Sequence, residues 1–149
     1  MTDLNFKEYS DAIITQINES TQCVLATCAD NYVTTRIVCP LLKDGAIMIS
    51  TGINSIKSSQ IKKNPNVAIS LGHLNIEAEA TLCGHPSAYP EFQTEYNKKY
   101  PDLADIYESS PDDVLVVCKI KRVQLYSYVN LPGKDIIDFE EEKAYRIEL

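Results

Sequence analysis

Asp44-Gly45 is the tightest constraint on how this chain can fold. The pair separates two apolar runs, residues 33–42 and 46–51. Aspartate followed by glycine tolerates the positive φ angles of a two-residue hairpin turn, so these runs pair antiparallel. Parallel neighbours would need a crossover of a dozen or more residues, and the early part of the chain has no room for one. Other strand-like runs follow at similar spacing: 23–28, 67–71, 76–83, 114–120 and 123–129, with a terminal strand or two in 136–149. In residues 33–42 the alternation places Val33, Thr35, Ile37 and Cys39 on one face and Thr34, Arg36 and Val38 on the other. Leu4, Tyr9, Ile13, Ile14 and Ile17 recur at helical spacing, which predicts a helix over 4–20. Residues 90–108 predict one or two more, burying Phe92, Tyr96, Tyr100, Leu103, Ile106 and Tyr107. About seven closely spaced strands with short turns predict a mainly β, single-domain protein over 1–149, a small barrel flanked by helices.

The 149 residues carry a net charge of −7, and this acidity argues against a nucleic-acid partner. No apolar run is long enough to span a bilayer, and the charged first twenty residues lack a signal-peptide core. A cytoplasmic location is expected. The five cysteines are odd in number and form no C-x-x-C pair, so reduced and mostly buried thiols are expected, with no metal site.

One stretch does not read as an ordinary surface loop. After Ser50-Thr51, residues 55–65 run Ser-Ile-Lys-Ser-Ser-Gln-Ile-Lys-Lys-Asn-Pro. Ser55 is a natural N-cap, its hydroxyl accepting from the amide of Lys57 or Ser58, and Asn64-Pro65 ends the helix after about two turns. Free amides, the Ser55 hydroxyl and the Lys57 ammonium then converge where an anion would bind. Arg36, expected on the hairpin neighbour of the strand ending in Ser50-Thr51, would add a two-pronged donor. From the residues alone, a solvated Lys57, an Arg36 paired with an acid and a purely structural cap are the favoured reading. No P-loop or dinucleotide glycine fingerprint is present.

In order, Arg36-Ile37-Val38, the Asp44-Gly45 hairpin, Ser50-Thr51, the S-x-K-x-x-Q-I-x-x-N-P stretch and a following V-A-I-S strand resemble the pyridoxamine 5′-phosphate oxidase-like flavoproteins. The resemblance is strongest over residues 22–84. It implies an FMN-binding split β-barrel and a homodimer with FMN at the subunit interface. It also implies that Arg36, Lys57 and Ser55 hold the FMN phosphate. Backbone at Ile37 and Val38 would lie along the flavin ring, Ser50 and Thr51 would contact ring or ribityl chain, and Gln60 would match a glutamine of the short helix. A tyrosine is common in the family where Ser50 stands. Glu79 falls near a glutamine that the second subunit often offers. The later helix lacks the arginine that true oxidases use for a substrate phosphate, and the C-terminus reads Tyr145-Arg146-Ile147-Glu148 without their histidine. Arg146 is therefore expected to be a solvated charge, and His73 and His85 to be turn residues. Tyr126 and Tyr128 fit a core, an interface or a ring-stacking role. Two functions follow: a small FMN-dependent oxidoreductase of unknown substrate, or a non-catalytic flavin store or redox sensor; a fold that has lost its cofactor or uses a related deazaflavin is the third alternative.

Overall fold

The computed structural model describes residues 1–103, 110–128 and 131–149. Ile106, Tyr107 and Val129, assigned above from the sequence, lie outside them. The described residues include ten antiparallel strands, the α-helices α1 (Phe6–Glu19), α2 (Ile56–Lys63) and α3 (Pro90–Lys99), and a 3-10 turn at Pro86–Ala88.

Strand β1 (Thr2–Leu4) leads into α1 (Phe6–Glu19). The predicted helix thus begins two residues later than expected, because the Asn5 side chain accepts from Glu8 N at 3.0 Å and caps it there. Ile13 and Ile17 form the buried stripe of α1 and pack into the main core. Each such side chain contributes about 1.5–3 kcal/mol on burial.

Next come β2 (Cys23–Ala29) and β3 (Tyr32–Val38), joined by Asp30-Asn31, both at positive φ as a tight hairpin requires. The Asp44-Gly45 turn is as predicted, but it joins β4 (Leu41–Lys43) to β5 (Ala46–Gly52). The run read as one strand over 33–42 breaks at Cys39-Pro40, and β3 pairs with β2 alone. Arg36 is therefore not on the hairpin neighbour of β5, as the sequence suggested. Proline has no N–H to give a ladder, so the strand ends before it.

Helix α2 (Ile56–Lys63) is followed by β6 (Asn66–Leu71), β7 (Leu74–Leu82) and α3 (Pro90–Lys99). The two strands expected at 114–120 and 123–129 are one, β8 (Asp113–Ser127). In its pairing with β7 the register slips: Ala78 opposes Ile120 while Glu77 opposes Arg122, leaving Lys121 as the extra residue of a bulge. On its other edge β8 pairs first with β5 and then, beyond the bulge, with β9 (Gly133–Asp138), to which β10 (Lys143–Glu148) is added. The circuit β5-β8-β7-β6-β2-β3 stays open between β3 and β5.

The inner faces of this circuit and of β9 meet in one apolar core that includes Leu25, Ile47, Ile76, Val116 and Ile137. Phe92 and Tyr96 of α3 and its C-cap Tyr100 form a smaller cluster with Leu41 and Leu115. Among the described residues no helix is long and apolar enough to cross a membrane.

All five cysteines are free. Burial, reinforced by the neighbouring Cys39, pushes the Cys23 thiol up to about 11, and burial, reinforced by Cys23, pushes Cys118 up to about 12. Thiols of the unfolded chain ionise first, near the usual 9.0. The stabilisation from keeping these protons is complete below that value and is lost as pH rises toward about 11–12. Urea midpoints should fall across this range. A Cys118→Ala variant, whatever its stability at neutral pH, should show a slope shallower by up to about 1.4 kcal/mol per pH unit.

Candidate functional site

Helix α2 begins where β5 ends. Ser55 takes an extended conformation (φ −72°, ψ 158°), and its Oγ accepts from Ser58 N at 3.3 Å. The Ser55 hydroxyl also donates to Ser58 Oγ at 3.0 Å, and Ser58 Oγ donates to the Gly52 carbonyl at 2.8 Å. These bonds tie the first helical turn to the end of β5. At the other end Asn64 N donates to Gln60 O at 2.8 Å, and Pro65 closes the helix. Cap, length and stop are as the sequence predicts.

The helix is fixed against β2 and β3 by one amide. Gln60, only 5% exposed, accepts on Oε1 from Thr27 Oγ1 at 2.5 Å and from Thr34 Oγ1 at 2.6 Å, and donates from Nε2 to the Tyr32 carbonyl at 2.8 Å. Arg36 joins the same group. Its guanidinium donates to Thr27 Oγ1 at 2.7 Å, to the Leu25 carbonyl at 3.2 Å and to Thr34 Oγ1. Every one of these acceptors is neutral.

Lys57 stands close enough to feel that guanidinium. Burial lowers its ammonium below the usual value, and the nearby Arg36 charge lowers it further; burial also lowers Arg36. Among the described residues neither cation makes an ion pair with a carboxylate, although 21 acidic residues are present in the chain. Like charges drawn together at a helix N-terminus, with partial desolvation and no counter-charge, form a place where an anion is strongly favoured.

The other predicted residues flank this pair. Ile37 is 64% exposed on the outer face of β3, and Val38 is half-buried at the inner one. Ser50 and Thr51 lie on β5, across the opening of the barrel from β3. Thr51 is buried, while Ser50 Oγ is shielded from solvent without a hydrogen-bond partner among the described residues. The structure thus unites Arg36, Ser55, Lys57 and Gln60 around α2 and sets Ser50-Thr51 on the opposite strand. Sequence reading missed Thr27 and Thr34, which hold Gln60 and Arg36. Thr34 sharing a strand face with Arg36 was the available signal.

A family model described as pyridoxamine 5′-phosphate oxidase matches residues 9–127. The chain belongs to that family. No curated protein matches its sequence. Among solved structures, a pyridoxamine 5′-phosphate oxidase-related, FMN binding protein of Nostoc punctiforme is 14% identical with a TM-score of 0.64, over 95% of both chains. General Stress Protein 26 of Bacillus anthracis is 19% identical with a TM-score of 0.61, over 95% of this chain and 99% of that one. HutZ, the heme storage protein of Vibrio cholerae, is 12% identical with a TM-score of 0.62, over 79% and 92%. At these identities the likeness is one of fold, and it establishes the split-barrel architecture.

Within this fold several expected residues have other partners. Arg146 is not a solvated charge. Its Nε and Nη2 donate to the two carboxylate oxygens of Asp135 at 2.6 and 2.8 Å, and Asp135 is 2% exposed. His85 caps the 3-10 turn: Nδ1 accepts from Ser87 N at 3.1 Å and Nε2 donates to the Ser110 carbonyl at 2.9 Å. His73 is exposed in the β6–β7 turn, and Glu79 is exposed opposite Lys119. Tyr126 and Tyr128 are exposed and outside the core. Gln60→Leu removes the amide and leaves two threonine hydroxyls and the Tyr32 carbonyl short of partners. Urea denaturation should show a loss of about 1–3 kcal/mol.

Proposed function

We propose that this protein is an FMN-binding flavoprotein acting as a small FMN-dependent oxidoreductase in the cytoplasm. The observation that carries the reading is the Arg36–Lys57 pair, two cations at the start of α2 that pair with no carboxylate among the described residues. FMN ends in a phosphate, and the donors here suit it: a planar guanidinium, an ammonium, and the first-turn amides behind the Ser55 cap. Residues Ile37 and Val38 on one lip of the open barrel, and Ser50 and Thr51 on the other, would hold the ring and ribityl chain. Bound FMN supplies hydride and single-electron transfer, so the chain needs only to orient it and leave one face open to a second molecule.

A homodimer fits the same reading. Val33 and Ile37 are 63% and 64% exposed on the outside of β3, with Val24 of β2 beside them. A second copy covering this apolar face would close the flavin site from the other side. Oxidation of a phosphorylated pyridoxamine is disfavoured, since Arg146 is committed to Asp135 and no histidine follows it. The paired Arg36 and Lys57 cations suit the phosphate of FMN.

Purified protein titrated with FMN should retain the flavin's visible absorption after removal of excess ligand. Lys57→Ala should weaken FMN binding by about 1.5–3 kcal/mol, the worth of one charge-assisted hydrogen bond. Unchanged affinity would sink the phosphate assignment. Reduction of the bound flavin by a nicotinamide donor separates the oxidoreductase from the non-catalytic flavin store, which would hold FMN without turning over.

A further inference from the structure

Among the described residues, Ser50 Oγ, Asp113 Oδ2 and Arg122 Nε are shielded from solvent and have no hydrogen-bond partner. The Arg122 guanidinium still donates to Asp138 through Nη2, at 3.4 Å. The other two atoms belong to one place. In the β5–β8 ladder Ser50 opposes Leu115 and Gly52 opposes Asp113, so Ser50, Gly52 and Asp113 share a face of the sheet. Ser50 and Asp113 are diagonal neighbours, a relation that sets their Cα atoms about 7–8 Å apart. Gly52 stands between them without a side chain, and a Cβ at this position would meet no atom within 4 Å. The two orphaned oxygens therefore flank an open nook over Gly52. This nook adjoins the anion cradle. The Gly52 carbonyl accepts from Ser55 N at 3.1 Å and from Ser58 Oγ at 2.8 Å. Ile53 N donates to the Asp112 carbonyl at 2.7 Å, which fixes Asp113 beside the root of α2.

A shielded carboxylate oxygen next to a shielded hydroxyl is matched by a ligand segment rich in donors. We propose that Asp113 is a cofactor-binding residue: it accepts from a hydroxyl of the ribityl chain of FMN, and Ser50 bonds a neighbouring hydroxyl across Gly52. The assignment rests on the flavin reading above and adds a determinant of specificity to it. A polyol brings donors without charge, so it satisfies Asp113 where a second phosphate would be repelled. Asp113 thereby selects a phosphate that ends a polyhydroxyl chain over one that ends a plain alkyl chain.

Fluorescence titration with FMN, and with a flavin whose phosphate ends an unhydroxylated pentyl chain, tests this on the wild type, Asp113→Ala and Gly52→Val. The wild type should bind FMN at least about tenfold more tightly than the alkyl analogue, as one charge-assisted hydrogen bond implies. Asp113→Ala should weaken FMN about tenfold and leave the analogue within about twofold, since only FMN has the hydroxyl to lose. Its urea midpoint without flavin should not fall, because the oxygen removed has no partner. Gly52→Val fills the nook; it should keep its urea midpoint and weaken FMN about tenfold by displacing the bonded chain. Asp113→Ala that retains the preference for FMN, tightens FMN, or weakens both flavins alike overturns the proposal and leaves the flavin reading standing. A folded Gly52→Val with unchanged FMN affinity does the same. Wild-type protein that takes up neither flavin overturns the flavin reading and this assignment with it.

Discussion

The buried side-chain amide of Gln60 is the contact on which the geometry of the cradle depends. It sits where α2, β2 and β3 meet, and each of its polar groups has a protein partner. A buried amide without partners would cost more than its hydrogen bonds contribute, so α2 has one seat against the sheet. Lys57 lies three residues before Gln60 and shares its side of the helix. Seating Gln60 therefore brings the Lys57 ammonium to Arg36, which the same two threonines orient. The repulsion between these cations is held in check by neutral hydrogen bonds, and a bound phosphate would turn it into attraction.

The rest of the fold supplies the opening beside which that helix sits. One long strand, β8, serves two neighbours along the same edge, and the bulge at Lys121 marks the change of partner from β5 to β9. Because β3 and β5 never pair, a lip of backbone remains on each side of the gap. The open edge and the apolar outer face of β3 belong together. A strand that buried Val33 and Ile37 in its own core would turn Arg36 outward and separate it from Lys57, since a strand offers only two faces.

Features that depend on a few adjacent residues were legible in the sequence. Ser55 as cap, Pro65 as stop and Asp44-Gly45 as turn are local, and each has one dominant conformational solution. Arg36 and Lys57 were recognised by residue type and order. Their approach was attributed to the wrong strand pairing, because Cys39-Pro40 ends β3 before the hairpin begins. Arg146 was misread for a related reason. Its carboxylate partner lies on β9, and only the register Arg146↔Asp135 makes the two neighbours. The run across residues 120–123 reads as a break between strands because charges interrupt it, whereas a bulge absorbs the extra residue without ending the strand.

The sequence by itself determined the antiparallel character of the protein, the position and length of α2, and the donor types offered to an anion. These follow from turn stereochemistry, capping and charge, all of which act over a few residues. Only the tertiary structure decided which face of β3 points outward, that Gln60 locks the helix to Thr27 and Thr34, and that Arg36 and Lys57 approach each other. Those outcomes depend on contacts between residues more than 20 positions apart, 26 and 33 for the two threonines that hold Gln60. Such contacts are set by which strands pair and which polar groups must be satisfied once the core closes.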